Sequence, residues 1–335
     1  MRQRATRLTC VASAGVVQRK LPTLDLNFAL TKAMDPMITF TRASTATYVG
    51  SDGQIQTAAS NVPRFDHDPV TGESLGLLIE EARTNNLLNS ATLSTQTRTV
   101  TAAAQTLSFY GTGTITLTGV STAGPLVGTG ANNRVSLTFT PTAGSLVLTV
   151  SGSVTNAQLE VGSIPTSYIP TVASTVTRAA DVATITGASF TSWFNASAGT
   201  IYTKGRGPAV VGGSQPNIVV FDDTPSTNFI LTRVTGTGTT ASLYVGVNST
   251  VVAQIVSSSF TLRSTFNQAS AYALNDFATT VNGGTVATDT LGALPVVIRA
   301  VLGSRVGYYL NGTIARFTYY STRLPNVELQ ALTVN

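Results

Sequence analysis

Charged side chains and cysteine are scarce in this sequence. Only 10% of the 335 residues are Asp, Glu, Lys or Arg, against roughly 25% in an average soluble domain. Ser, Thr, Gly, Val and Ala are abundant instead, which is typical of β-rich extracellular and virion proteins whose exposed faces carry hydroxyls in place of charges. The single cysteine, Cys10, excludes an intrachain disulfide, so we expect packing and oligomerisation to stabilise the fold.

Long apolar runs and a basic body are also missing. No run approaches the roughly 20 residues that cross a bilayer, so the sequence predicts no membrane insertion. The first 20 residues hold five basic side chains and no acid, while the rest of the chain carries 15 basic and 15 acidic residues. Because a neutral body is a poor partner for a phosphate backbone, we predict no nucleic-acid binding.

The basic start of the chain allows two interpretations. Its charge and the following LTCVASAGVV fit a secretory signal, which has a charged region, a short apolar stretch and small residues. We favour an anchoring arm over residues 1 to 21, tied down by a partner or by a neighbouring element. Its anchoring side chains would be Arg2, Arg4, Arg7, Arg19 and Lys20.

Short strands with alternating apolar and hydroxyl residues dominate what is present. TITLTGV (114 to 120), RVSLTFT (134 to 140) and SLVLTVSG (145 to 152) have this pattern, and NFILTRV, ASLYVGV, PVVIRAVLG and IARFTYY repeat it later. The NGG at 282 to 284 and the NG at 311 to 312 favour tight hairpin turns. The sequence therefore predicts an all-β fold of tandem antiparallel β-sandwiches, jelly-roll-like, without crossover helices.

One short helix and two boundaries interrupt this pattern. LPNVELQAL (324 to 332) predicts a C-terminal helix, because Pro325 suits a first helical position and Leu329 and Leu332 share a face. Weakly apolar segments at 89 to 99 and 164 to 187 predict module boundaries. We expect a first module over residues 22 to 185, with a sub-boundary near 90 to 99, and a second sandwich over residues 186 to 335.

The only histidine, His67, lies between Asp66 and Asp68, a dozen residues before Glu80 and Glu81. This pattern could indicate a metal or acid/base site. The turn formers at 68 to 72 and the apolar LGLLIE (75 to 80) favour strand, turn, strand, with the histidine at the tip. On a strand the two glutamates point to opposite faces and cannot act as a pair, and Glu81 would form an ion pair with Arg83. A scaffold is favoured, with a structural cation site and catalysis as alternatives.

Other candidate residues lie in the second half of the chain. Asp222 and Asp223 could contribute to a Ca²⁺ site, but no spaced set of oxygen ligands accompanies them, which favours a turn. In the pairs Trp193-Phe194 and Tyr319-Tyr320, strand alternation points one ring inward, so we expect at least half of these rings to lie in the core, while an exposed ring could dock a sugar. Gly205-Arg206-Gly207-Pro208 lacks the Lys-Ser/Thr ending of a phosphate-binding loop. The sequence predicts no catalytic residue, metal site or cofactor.

Four segments resemble a module of tailed-bacteriophage virion proteins, of the fibre, appendage and head-decoration type, with carbohydrate-binding-like sandwiches. They are LDLNFA (24 to 29), ITFTRASTATYV (38 to 49), residues 52 to 90 and AQLEVGSIPTSYIPTVASTVTRAADVA (157 to 183). The ending NGTIARFTYYSTRLPNVELQALT (311 to 333) is similar to the last strand and closing helix of concanavalin A-like and laminin-G-like jelly rolls in the same proteins. In these modules the 64 to 90 stretch is structural.

The resemblance implies a non-enzymatic virion protein, displayed on the particle exterior, that binds host-surface polysaccharide and other virion proteins as a homo-oligomer, a trimer being favoured. A purely architectural capsid or tail component is the alternative. A polysaccharide depolymerase is disfavoured because no two carboxylates lie at glycosidase spacing in any motif. The glycan contacts expected in the second sandwich come from aromatic, carboxylate and amide side chains: Trp193, Asp222, Asp223, Asn228, Asn282 and Tyr319.

Overall fold

The computed structural model describes residues 20–207, 215–235, 240–259, 261, 264–305 and 307–334. In this part of the chain the paired strands are antiparallel and form seven sheets. The prediction of an all-β fold is confirmed. No helix among the described residues is long and apolar enough to span a bilayer.

The strands before the first boundary are β1 Leu24–Leu26, β2 Thr39–Thr41, β3 Ala46–Val49, β4 Ile55–Ala58, β5 Phe65–His67, β6 Ser74–Ile79 and β7 Arg83–Asn85. The strands of the middle segment are β8 Gln96–Val100, β9 Gln105–Gly111, β10 Thr114–Gly119, β11 Leu126–Val127, β12 Gly130–Phe139, β13 Gly144–Ser151 and β14 Val154–Val161.

The remaining strands are β15 Val176–Arg178, β16 Val182–Thr186, β17 Ala198–Arg206, β18 Asn217–Asp222, β19 Phe229–Val234, β20 Thr240–Val247, β21 Thr250–Ser259, β22 Thr265–Ala273, β23 Asp276–Val281, β24 Ala287–Asp289, β25 Arg299–Leu302, β26 Ser304–Arg305, β27 Tyr308–Tyr309 and β28 Gly312–Tyr320. The described helices are α1 Phe28–Thr31, α2 Gly187–Thr191 and α3 Asn326–Thr333.

A large sandwich is built from an eight-stranded and a seven-stranded sheet. The first has the order β24-β23-β22-β17-β28-β6-β5, with β1 also on β28, and the second the order β2-β16-β25-β18-β19-β20-β21. Both inner faces contribute aromatic and branched side chains to one core, because alternate residues of each strand point inward. Strands from before residue 90 and from after residue 180 belong to the same sheets, and Leu24 pairs with Tyr319. The three-part division stays a prediction.

A small sandwich is inserted between β7 and β15. Its sheets are β11-β10-β13-β8 and β12-β9-β14, and they enclose a second core that includes Leu107, Phe109, Ile115 and Leu148. The segments at which the sequence predicts module boundaries, 89 to 99 and 164 to 187, lie on either side of it. Residues 162 to 175, the connector, run back from this sandwich toward the large one without forming a strand.

The predicted C-terminal helix is confirmed. Helix α3 follows Pro325 and packs Leu329 and Leu332 on the outer face of the eight-stranded sheet. The NGG turn is also confirmed, because Asn282 and Gly283 have positive φ between the paired strands β23 and β24. The prediction of a hairpin turn at the NG of residues 311 to 312 is wrong. Asn311 has a φ of 47°, but β27 and β28 pair with other strands, and Asn311 contacts Glu81 instead.

Candidate functional site

The strand, turn, strand prediction for the 64 to 80 stretch is confirmed, with β5, a turn over Asp68 to Glu73, and β6. The Asp68 carboxylate accepts hydrogen bonds from the backbone N–H groups of Thr71 and Val70, which lower its pKa. His67 is not at an exposed tip. It is the last residue of β5 and is buried, with Nδ1 3.0 Å from the Val49 carbonyl oxygen. Among the described residues no three His, Cys, Asp or Glu side chains converge as a metal site needs.

Behind this turn lies a buried network of five charged side chains. Arg64 Nη1 lies 2.8 Å from Glu80 Oε2, and Arg64 Nη2 lies 2.5 Å from Asp181 Oδ2. Arg178 Nη1 lies 2.7 Å from the same Glu80 oxygen, and Arg42 Nη1 lies 3.1 Å from Asp181 Oδ1. Exposed fractions of these side chains are 6% or less. The network joins the first strands, the connector and β15, so it holds separate segments in register.

Every carboxylate oxygen of the network accepts at least one hydrogen bond, which argues for a structural role. Glu80 also accepts hydrogen bonds from the Ser167 N–H and hydroxyl at 2.7 and 2.6 Å. Burial alone would raise the pKa of Glu80, but Arg178, Arg64 and Ser167 lower it to about 2. Glu81 points elsewhere and lies 2.6 Å from Arg83, as predicted. The two glutamates therefore do not form an acid/base pair.

A groove runs between the two sandwiches, in front of the network. It consists of three adjoining cavities of about 280, 200 and 310 Å³. The first two share Asp66, Leu78, Arg134 and Pro165. The second and third share Thr47, Ile55, Tyr110 and Tyr168. Clefts between domains are common positions for ligand sites.

The large sandwich supplies one wall of the groove. Leu77 and Ile314 point into its core, so their neighbours Leu78 and Thr313 point outward by strand alternation. Thr313 is 3% exposed, and its Oγ1 has no hydrogen-bond partner within the described part of the chain. Arg206 of β17 pairs with Thr313 of β28 and belongs to the same wall. Its Nη1 lies 3.5 Å from Asp68 Oδ2. A buried hydroxyl without a partner is uncommon and marks a place where a ligand or water could bind.

The small sandwich and the connector supply the opposite wall. Arg134 Nη1 donates to the Thr166 carbonyl oxygen at 2.5 Å and Nη2 donates to Ser108 Oγ at 2.8 Å. Its guanidinium lies 6.0 Å from the centre of the Tyr110 ring. No carboxylate of the described residues lies within 4.0 Å of Arg134, although arginine usually pairs when half-buried. The wall thus offers an unpaired cation and an aromatic ring.

Asp66 and Glu80 both line the groove, and Asp66 is the one without an ion pair among the described residues. Its Oδ1 accepts a hydrogen bond from the Val49 N–H at 2.7 Å, and no side-chain donor among the described residues bonds to it. Burial raises its pKa to about 6, with a contribution from Glu80 that Arg64 opposes. Asp66 therefore changes its charge near neutral pH, unlike the ion-paired Glu80.

The aromatic side chains predicted to contact glycan are buried. Trp193 follows α2 instead of lying on a strand, and both Trp193 and Phe194 pack into the large core. Tyr319 also lies in that core, where its hydroxyl is 2.7 Å from the hydroxyl of Tyr272. Tyr320 points the other way but is covered at α3. The expectation that at least half of these rings lie in the core is confirmed, and both faces of β28 are covered.

The predicted polar contacts are placed in two separate turns. Asp222 is buried and lies 2.5 Å from Arg299, while Asp223 accepts hydrogen bonds from Thr227 and Asn228. Desolvation would raise the pKa of Asp223, but these hydrogen bonds lower it to about 2. Asn282 is exposed at the turn between β23 and β24. The glycan-binding role of these residues stays a prediction.

The anchoring arm lies almost wholly outside the described residues. The predicted anchoring residues Arg2, Arg4, Arg7 and Arg19 lie outside the described residues, whereas Lys20 is described and is exposed. The sequence pattern did not predict the groove, although Asp66 is adjacent to His67 in the stretch that suggested a metal or acid/base site. A signal was present in the acidic residue on a short strand beside an apolar one, but Arg134, which lines the same cavities, lies 68 positions later on another sandwich.

No protein-family model matches this chain, and no curated protein matches it. Solved structures with a similar fold include the CBM40 of the Ruminococcus gnavus IT-sialidase bound to α2,3 sialyllactose. It is 17% identical, over 42% of this chain and 84% of that chain, with a TM-score of 0.37. The binding domain of Botulinum Neurotoxin DC in complex with SialylT is 11% identical, over 46% of this chain and 39% of that chain, with a TM-score of 0.37. Domains LG4-5 of the mouse laminin α1 chain are 8% identical, over 72% of this chain and 88% of the laminin chain, with a TM-score of 0.26.

Proposed function

We propose that this protein binds carbohydrate without catalysis, in the groove between its two sandwiches, and that it is displayed on the exterior of a tailed-phage virion. The groove is the observation that carries the binding function. Its three cavities together reach the size range of small-molecule sites, about 300–1,000 Å³. Hydroxyl, amide, carboxylate and guanidinium groups line it beside Tyr110 and Tyr168, and sugars require such polar groups with a few rings.

The carboxylates of the groove support a binding role over hydrolysis. Glycosidases commonly use two carboxyl groups, one as acid and one as base or nucleophile. Glu80 lines the middle cavity, but two arginines and Ser167 hold it ionised. Among the described residues that line the groove, Asp66 is then left without a second carboxyl group free to act with it. This arrangement suits recognition of a polyol.

The proposed place on the virion rests on the resemblance of the sequence to phage modules. The segments that carry it include Arg42, Arg64, Glu80, Arg178 and Asp181, which meet in the buried network. The same segments contribute to both walls of the groove, through Asp66 and Leu78 on one side and through the connector on the other. The segments that resemble the phage modules therefore supply Asp66 and Glu80 of the groove, whereas Tyr110 and Arg134 lie outside them.

A glycan array probed with the multimerised protein tests the binding function. Single-site dissociation constants should lie between about 1 mM and 10 μM, so that multivalency is needed for detection. Tyr110→Ala should weaken binding by roughly tenfold, because it removes the ring of the groove wall. Asn228→Ala in the predicted loop is the matched control and should bind normally. Loss of binding in the control alone would move the site to the second sandwich, and no binding to any glycan or host cell would refute the proposal.

A purely architectural role is the second candidate, and one surface favours it. Leu274, Leu291 and Val296 are 65%, 73% and 76% exposed. The first two lie in loops joined by hydrogen bonds between Asn275 and Gly292 at one end of the large sandwich. Exposed apolar patches are typical of protein contacts. Burial of this end between subunits of an isolated particle, with no glycan bound, would support architecture.

A further inference from the structure

We propose that the groove selects an uncharged sugar residue with adjacent hydroxyls, held between the Asp66 carboxylate of the large sandwich and the Arg134 guanidinium of the small one. This inference rests on the carbohydrate-binding function proposed above. It names the class of sugar and the two side chains that choose it.

The unmet hydrogen-bonding capacity of the groove indicates a ligand that both donates and accepts. An ionised carboxylate accepts about four hydrogen bonds, whereas Asp66 receives only backbone donors from Val49 and His67. Arg134 uses one hydrogen of each terminal nitrogen, and its Nε has no partner among the described residues. Thr313 Oγ1 is likewise buried and unpaired there. A sugar hydroxyl can donate to Asp66 while its neighbour accepts from Arg134.

An acidic sugar fits this arrangement less well. Arg134 would attract a ligand carboxylate, but Asp66 lines the same two cavities and would repel it when ionised. The second arginine of the wall, Arg206, already has Asp68 as a partner at 3.5 Å. A neutral diol satisfies Asp66 and Arg134 together, without leaving like charges in contact.

The two ligand classes have opposite pH dependence. The pKa of Asp66 in the free protein is raised to about 6 by burial. Hydroxyl donors stabilise the ionised form, so a neutral sugar should bind best above pH 6 and be released as pH falls through it. An acidic sugar prefers the protonated form and should bind more tightly in acid. The charged and titratable groups around Asp66 are Arg64, Glu80, His67, Asp68, Arg134 and Arg206.

The experiment measures affinity of the full chain for array hits at pH 7.5 and pH 5. Each acidic hit is compared with its carboxyl-reduced form, which has the same hydroxyls but no charge. We expect the bound glycans to be neutral, or to be acidic glycans that still bind after carboxyl reduction. Their affinity should be about tenfold lower at pH 5 than at pH 7.5, because only the protein with ionised Asp66 binds them. Asp66→Asn keeps an oxygen for the Val49 N–H and should bind at least roughly tenfold more weakly, without pH dependence.

His67→Gln is the matched control, because it changes the side chain next to Asp66 on the same strand and leaves the carboxylate in place. It should keep the pH dependence of the parent protein. Circular dichroism verifies that both variants are folded. Hits that lose binding on carboxyl reduction would overturn the sugar class while the carbohydrate function stands. An unchanged pH profile in Asp66→Asn would overturn the role of Asp66, and no hits at all would refute both proposals.

Discussion

At the scale of single residues, two neighbouring carboxyl groups show how surroundings decide charge. Asp66 lies on β5 and Glu80 directly follows the paired strand β6, and burial by itself would raise the pKa of each carboxyl group. Glu80 faces Arg64 and Arg178 at hydrogen-bonding distance, and their attraction exceeds the desolvation. Asp66 has only backbone donors, so desolvation prevails there. Glu80 therefore serves stability, and Asp66 is suited to binding.

Glu80→Gln should lower the free energy of unfolding by about 3–5 kcal/mol at pH 7, because it leaves buried arginines without a partner. The pKa of Glu80 is lowered to about 2 in the fold, so its stabilisation is complete above its ordinary pKa and is lost as pH falls through about 2. Urea unfolding between pH 7 and pH 2 measures the difference. The neighbouring Glu81→Gln removes a partly exposed ion pair and should cost less than about 1 kcal/mol. Equal effects of the two substitutions would contradict the network.

Asp66→Asn should have the opposite sign and raise the free energy of unfolding at pH 7 by about 1–3 kcal/mol. A raised pKa means that the folded state binds the proton more tightly than the unfolded chain. The contribution of Asp66 is therefore favourable below its ordinary pKa of 3.8 and is lost as pH rises through about 6. The difference between variant and parent should grow over this interval in urea titrations. A constant difference from pH 4 to pH 7 would be inconsistent with the assignment.

At the scale of elements, β6 depends on one glycine. Gly76 has a φ of 92°, and a Cβ there would lie 2.6 Å from Ala315 Cα on the paired strand β28. The register between β5 and β6 also shifts beside it. Only glycine permits this close approach, which brings the first strands of the chain onto the last one.

Gly76→Ala should lower the free energy of unfolding by at least about 2 kcal/mol, from backbone strain and from the clash with β28. Gly187→Ala is the matched control, because its φ is 56° but a Cβ there meets nothing within 4 Å. Its cost should be about 1 kcal/mol, from the backbone alone. Guanidinium titrations of both variants give the difference. A Gly76→Ala protein as stable as Gly187→Ala would show that the strand moves without cost.

At the scale of the whole molecule, the anchoring arm remains a prediction. Deleting residues 1 to 20 should leave a soluble, folded protein, because the described strands begin at Leu24. The truncated protein should no longer assemble onto virions if the basic side chains bind an acidic surface or a groove for an extended chain. Incorporation is measured by quantifying the protein in purified particles. Normal incorporation of the truncated chain would remove the arm from the attachment site.

Oligomerisation is a second prediction at this scale, with a trimer favoured from the resemblance to phage fibres. Its structural support is the end of the large sandwich where the exposed Leu274 and Leu291 lie in hydrogen-bonded loops. Sedimentation of the isolated protein at micromolar concentration should show the trimer, and Leu291→Lys should shift it toward monomer. Monomer alone in the parent protein would count against the prediction.

Local patterns determined the strands, the closing helix α3 and the ion pair of Glu81 with Arg83. Each depends on residues close in sequence, whose alternation or spacing follows from backbone geometry. The turn after β5 was also predictable, since Asp68, Pro69 and Gly72 favour it by their own conformations.

Only the tertiary structure decided which strands share a sheet, which rings are covered and where the groove lies. Leu24 pairs with Tyr319, and Asp66 and Arg134 line one cavity from different sandwiches. Alternation shows that a side chain leaves one face of a strand, but whether that face meets solvent depends on what packs on it. Tyr319 and Tyr320 were indistinguishable from exposed rings for this reason. Contacts between distant segments are set by the balance of burial over the whole chain, which no local pattern contains.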